Sequence, residues 1–103
     1  MKKYGLHGKF KVSTGNAEKL ANILIKASDL VSTSKSCKLY VVSMDSTDEN
    51  SVWVTEIWDS KEDHDNSLNV EGVRELIGQA MPLLDGKPEM GQVLDVLGGA
   101  GVN

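Results

Sequence analysis

Between Val52 and Trp58 the chain is apolar on both parities: Val52, Val54 and Trp58 on one, Trp53 and Ile57 on the other. A strand points successive side chains to opposite faces, so a stretch of this kind reads as covered on both sides. An open sheet with one wet surface is a poor match for it. The same segment runs into Asp59-Ser60, and Ser60 with Asp63 has the form of a capping box in which Asp replaces the usual Glu or Gln. A strand ending in Glu56-x-Trp58 therefore delivers its Trp to the mouth of a helix, a place where a pocket can be lined.

The remaining periodicities fill in the order of elements. Tyr4, Leu6, Gly8, Phe10 and Val12 alternate with Gly5, His7, Lys9 and Lys11, so Lys3 to Val12 is a strand. Thr14-Gly15-Asn16 breaks it, with Asn16 as a candidate cap. From Ala17 the spacing lengthens: Ala17, Leu20, Leu24, Ala27 and Val31, widened by Ile23 and Leu30, form the apolar stripe of a helix that the polar run Ser32–Ser36 ends. Cys37 to Met44 is a second strand, Asp45 to Ser51 a polar connection, and Val52 to Trp58 the antiparallel partner.

A helical region follows from Lys61 to about Leu84, in which Asn69 either interrupts or starts a second helix, and Pro82 stands close to the end. Asp85-Gly86-Lys87-Pro88 signals a turn before a last strand, Met90 to Leu97. Gly98-Gly99-Ala100-Gly101 reads as a flexible tail and not a phosphate loop, since no helix follows it.

The order is β-α-β-β-α-β, an α+β, ferredoxin-like domain with an antiparallel sheet and both helices on one face. A chain of 103 residues is one domain, spanning 1–103. Nothing in so short a chain is left to form a third layer, so the simplest cover for the second sheet face is another copy of the same sheet, giving a homodimer through that face.

Charge narrows the partners. Lys plus Arg number 11 against 15 Asp plus Glu, a net charge of −4, and neither nucleic acid nor an anionic membrane is expected as a partner without a clustered basic face. Lys2, Lys3, Lys9 and Lys11 come nearest to one and read as solvated strand positions. The single cysteine, Cys37, alternates with Leu39 and Val41 and reads as a small buried hydrophobe. One unpaired cysteine and the absence of a readable signal peptide or membrane span make a cytoplasmic protein the expectation.

The strand-to-helix junction at Gly15, Cys37-x-x-Tyr40, Glu56-x-Trp58-x-Ser60-x-Glu62 and the late Gly98-Gly99 together resemble the antibiotic biosynthesis monooxygenase (ABM) domain. That family is built as a dimeric α+β barrel of about this length, and the resemblance spans nearly the whole chain. It implies cofactor-free oxidation of a quinol-like or polyphenolic aromatic by O2, or a barrel that binds a small aromatic ligand without turnover. Many members carry a His nine residues after the Trp; that position is Ser67 here, and His64 lies almost one helical turn earlier. The haem-degrading branch has an Asn, a Trp and a His at positions that align with Gly8, Ser67 and Ile77, so haem cleavage is not expected.

Cofactor-free oxygenation needs an apolar pocket, a base near the phenol and donors for the oxyanion. His64, beside the Trp58 junction, is the candidate base, with Asn66 as a donor and Trp58 as a pocket wall whose indole N–H meets a substrate oxygen. The competing readings are an exposed His64 among Glu62, Asp63 and Asp65, and a Trp58 that is simply core. Glu56 shares a strand face with Trp58 and needs a partner if buried; Arg74, the only arginine, is the natural one. Tyr40 is a candidate donor to a bound phenolate, and Tyr40, Glu56 and Arg74 make up the expected substrate-binding set. His7 shares its face with Lys9 and Lys11, which favours a solvated or dimer-contact role. Two histidines and one cysteine without ligand spacing suggest no metal site, and no cofactor is expected.

Overall fold

The alternating first segment forms β1 (Lys3–Lys11), and the helical stripe forms α1 (Ala17–Val31), followed by β2 (Cys37–Met44) and β3 (Ser51–Trp58). Two short helices, α2 (Lys61–Asn66) and α3 (Val73–Ala80), then lead to β4 (Gln92–Val96). This is a computed structural model; it describes residues 2–86 and 91–102. Lys87, Pro88 and Met90, parts of the expected turn and strand start, lie outside the described residues. The four strands make one antiparallel sheet in the order β2-β3-β1-β4, the ferredoxin-like arrangement.

The helix ends show why the segments stop where they do. Ser32 and Thr33 donate their hydroxyls to Asp29 O and Leu30 O, each at 2.8 Å, which satisfies carbonyls at the end of α1. Asn16 occupies the N-cap of α1 but makes no side-chain capping bond. Ser60 does cap α2: its Oγ accepts the Asp63 N–H at 3.1 Å and donates to Asp63 Oδ2 at 2.8 Å. The Asp carboxylate thus closes the box on the cap hydroxyl.

The region expected to be helical from Lys61 to Leu84 is broken in the middle. After a single 3₁₀ turn (Ser67–Asn69), Val70 is extended and Gly72 turns the chain at φ 89°, a left-handed conformation that only glycine adopts readily. A second 3₁₀ turn, Met81–Leu83, carries Pro82.

The face of the sheet that carries Phe10, Val52, Val54 and Trp58 packs against the helices. One core cluster gathers Val12, Ala17, Leu20, Ala21, Val52 and Ala80; a second gathers Val31, Trp58 and Val73, with Tyr4, Cys37 and Tyr40 packed on it. Cys37 reaches this second cluster through a register shift between Cys37 and Leu39: Cys37 pairs with Trp58, whereas Leu39 pairs with Ile57. Simple alternation would have placed Cys37 on the same face as Leu39. The irregularity turns it toward the helices instead.

The opposite face is open in the single chain. One row across it is apolar, Leu39–Ile57–Gly5–Leu94; the next two, Val41–Thr55–His7–Gln92 and Ser43–Trp53–Lys9, are mixed. His7 stacks on Trp53 with ring centroids 4.9 Å apart, and its Nδ1 lies 2.9 Å from Thr55 Oγ1. Trp53 Nε1 donates to Asp45 Oδ2 at 2.9 Å, and that bond, ahead of those from Thr47, lowers the Asp45 carboxyl to about 2. No described helix is long and apolar enough to cross a membrane.

Candidate active site

A cavity of about 260 Å³ lies between the sheet and the helices, lined by members of both core clusters. Its walls are apolar side chains: Phe10 from β1, Leu20, Ile23, Leu24, Ala27 and Val31 from α1, and Val73, Leu76, Ile77 and Ala80 from α3. Leu68, Ile77 and Met81, 43%, 40% and 50% exposed, mark its mouth on the side of α2 and α3. Among the described residues, four polar ones reach the lining: Tyr40, Glu56, His64 and Ser67.

Those four come together because of parity and capping. Tyr40 and Glu56 are direct cross-strand partners on the helix-facing side of β2 and β3. The Ser60 cap starts α2 directly after β3, so His64 comes back over the strand end and onto the Trp58 indole. Their rings meet edge to face at 5.9 Å, and the Tyr4 ring lies 5.4 Å from His64 on another side. The Ser67 hydroxyl donates to His64 O at 2.6 Å.

Glu56 is the centre of the polar end. Its carboxylate is only 12% exposed, and Oε1 accepts the Trp58 Nε1–H at 3.0 Å. The same oxygen stands 3.8 Å from His64 Nε2, too far for a hydrogen bond but close enough for charge–charge attraction. Burial raises the Glu56 pKa; the Trp58 hydrogen bond and the His64 charge oppose that shift. On the other side of the imidazole, Nδ1 lies 3.1 Å from Asp65 Oδ1. A carboxylate can only accept there, so Nδ1 is the donor in that contact and Nε2 is the nitrogen that faces Glu56 and the cavity.

Tyr40 is pushed well above the ordinary phenol range, first by burial and then by the Glu56 charge, so it stays a neutral O–H donor. Cys37 is also raised by burial and by Glu56, which keeps it a thiol and a poor nucleophile.

The sequence-expected set is thus partly assembled. Tyr40, Glu56 and His64 line the cavity. Trp58 does not: it is 1% exposed, and its indole N–H, expected to meet a substrate oxygen, is held by Glu56 instead. Asn66 is exposed on α2 and outside the lining. Arg74, the expected partner of Glu56, is exposed on α3, where Nε donates to Leu68 O at 3.1 Å and Nη2 to Asn69 Oδ1 at 3.2 Å. The break at Val70–Gly72 gives Arg74 these nearby acceptors, and Glu56 takes its partners from its own strand and α2. Sequence reasoning had not placed Ser67 in the cavity wall. Its spacing of three from His64 on one helical turn was the signal that pointed there. Among the described residues no group of three or more His, Cys, Asp or Glu is placed to hold a metal.

The family model for antibiotic biosynthesis monooxygenases matches residues 4–79, and the chain belongs to that family. Among solved structures, a Chloroflexus aurantiacus protein, whose name carries antibiotic biosynthesis monooxygenase as a proposed assignment, is 33% identical; the match covers 98% of this chain and 99% of that one, with a TM-score of 0.87. A Caulobacter crescentus protein with the same proposed assignment superposes with a TM-score of 0.83 at 17% identity, covering 94% and 92% of the two chains. A conserved protein of Methanosarcina mazei does so with 0.82 at 14% identity, covering 93% and 94%. These last two bear on the fold alone. No protein with a curated description matches the chain.

Proposed function

We propose that the protein is a cofactor-independent monooxygenase that oxidises a quinol-like or polyphenolic aromatic with O2, and that it works as a homodimer joined through the open sheet face. The observation that carries the reading is the apolar cavity between sheet and helices with His64 Nε2 and Glu56 Oε1 side by side at its polar end. His64 takes the proton of a ring hydroxyl, Glu56 stabilises the imidazolium that forms, and Tyr40 donates to the phenolate oxygen. Trp58 holds Glu56 in place through its indole N–H. The electron-rich anion then reduces O2; one oxygen atom enters the ring and the other leaves as water. All four electrons come from the substrate, which ends as a hydroxylated quinone, so no reductant is required. The apolar walls favour this chemistry by excluding water from the anion.

Oxygen uptake with a panel of hydroquinones tests the proposal. The expected result is uptake above the buffer blank that falls about 100-fold or more in His64→Ala. Uptake equal to the blank across the panel counts against catalysis. One observation favours a second reading, a binding protein without turnover: Ser67 lines the cavity where many family members place a His. Thermal shift combined with oxygen uptake separates the two: a ligand that binds only the native state raises its melting temperature whether or not it is consumed, so a shift without uptake marks the binding protein and a shift with uptake the oxygenase.

A further inference from the structure

The cavity has a charge character as well as a size. Its ionisable lining residues are Tyr40, Glu56 and His64; no lysine or arginine reaches it among the described residues. Arg74 turns away to Leu68 and Asn69, and Lys61 is bound to Asp65 at 2.7 Å on the surface. A ligand with a fixed negative charge would lie against the Glu56 carboxylate with no cation among the described residues except a protonated His64. Taking an unpaired charge out of water is costly, and a like charge beside it adds to that cost.

Size sets the other limit. A dry cavity of roughly 150 Å³ holds one benzene ring. At about 260 Å³ this one has room for one or two fused rings. Finally, the 3.8 Å between Glu56 Oε1 and His64 Nε2 leaves space for a hydroxyl oxygen to sit about 2.8 Å from each.

The geometry points to Glu56 and His64 acting together as an anion filter: the cavity takes an uncharged one- or two-ring aromatic alcohol, whose hydroxyl lodges between the two groups, and turns away aromatic acids of the same size. This rests on the site proposed above and goes beyond it by naming what the site rejects. Among the described residues the groups around the pair are few. Trp58 lies on β3, Tyr40 and Cys37 on β2, Tyr4 on β1, and Asp65 and Ser67 beside His64. None supplies a positive charge.

The test is calorimetric binding of 1-naphthol and of 1-hydroxy-2-naphthoate to the full-length protein at pH 7.5. The expected result is at least about tenfold weaker binding of the naphthoate. In Glu56→Gln, which keeps an acceptor oxygen for Trp58 but removes the charge, the ratio should fall below about threefold. The unmodified protein provides a second arm: burial raises the Glu56 carboxyl, so acidification that protonates it should narrow the ratio while the naphthoate stays ionised. Equal affinities at pH 7.5, no binding of the naphthol, or a ratio unchanged by both Glu56→Gln and acid would overturn the inference. Selective binding without oxygen uptake removes the oxygenase reading and leaves the filter standing. Oxygen uptake with unselective binding does the reverse.

Discussion

Replacing Trp58 with Phe asks whether the indole is there to fill space or to hold a charge. The side chain is 1% exposed, so the change leaves a void, and it also removes the single N–H that Glu56 Oε1 accepts at 3.0 Å. A hydrogen bond to an ionised group contributes about 1.5–3 kcal/mol, and trimming a buried indole to a phenyl ring costs about 1–2 kcal/mol more. The variant should therefore lose about 2.5–5 kcal/mol at neutral pH, a fall in melting temperature of roughly 10–30 °C for a domain of this size. In a Glu56→Leu background the carboxylate is gone and only the packing loss remains, so urea titrations of the four proteins should give a coupling of about 1.5–3 kcal/mol.

The cost also depends on pH. Burial raises the folded-state Glu56 pKa above its unfolded value, so the ionised form is the one that burial penalises and Trp58 relieves. Above that folded-state pKa the full loss is present; as pH falls through it the carboxyl protonates and the excess loss fades. A Trp58→Phe cost that is the same in both backgrounds and flat with pH would refute the reasoning, and Trp58 would be core and nothing else.

Other expectations are simpler. Ser60→Ala removes the cap that accepts the Asp63 N–H and should cost about 1 kcal/mol in thermal unfolding, with less His64 near the cavity and so slower oxygen uptake. Gly72→Ala forces a side chain into φ 89° with its Cβ about 3.1 Å from Leu30 Cδ1, and denaturant titration should show a loss of about 1–2 kcal/mol. Ile57→Lys puts a charge into the apolar row of the open face; light scattering should report the monomer mass, and an unchanged mass would contradict dimerisation through that face.

Much of this architecture was legible in the chain because strand and helix periods write directly into residue spacing. The alternation in Lys3–Val12, the stripe from Ala17 to Val31 and the Ser60 cap are local signals, and the structure follows each of them. The doubly apolar strand also reads correctly for its inner face, where Val52, Val54 and Trp58 are 0%, 4% and 1% exposed. What failed depended on partners distant in sequence. Arg74 looked like the natural counter-ion for Glu56 by elimination, but the turn at Gly72 gives it Leu68 O and Asn69 as acceptors. Cys37 changed faces through one register shift, which periodicity does not encode. In the site, His64 and Glu56 were visible as residue types near one junction. The role of Trp58 in holding Glu56 was not, because a two-residue spacing on a strand shows only that they share a face.

The chain has two histidines, and they lie on opposite faces of the sheet: His64 at the cavity, His7 stacked on Trp53 on the open side. Nitrogen-detected NMR of the two imidazoles during titration with 1-naphthol therefore reads the site against an internal reference. Perturbation of the His64 Nε2 resonance at saturation, with His7 unmoved, is the predicted outcome. A bound ligand that leaves His64 untouched would place the aromatic elsewhere and remove the ground for a reaction between Glu56 and His64.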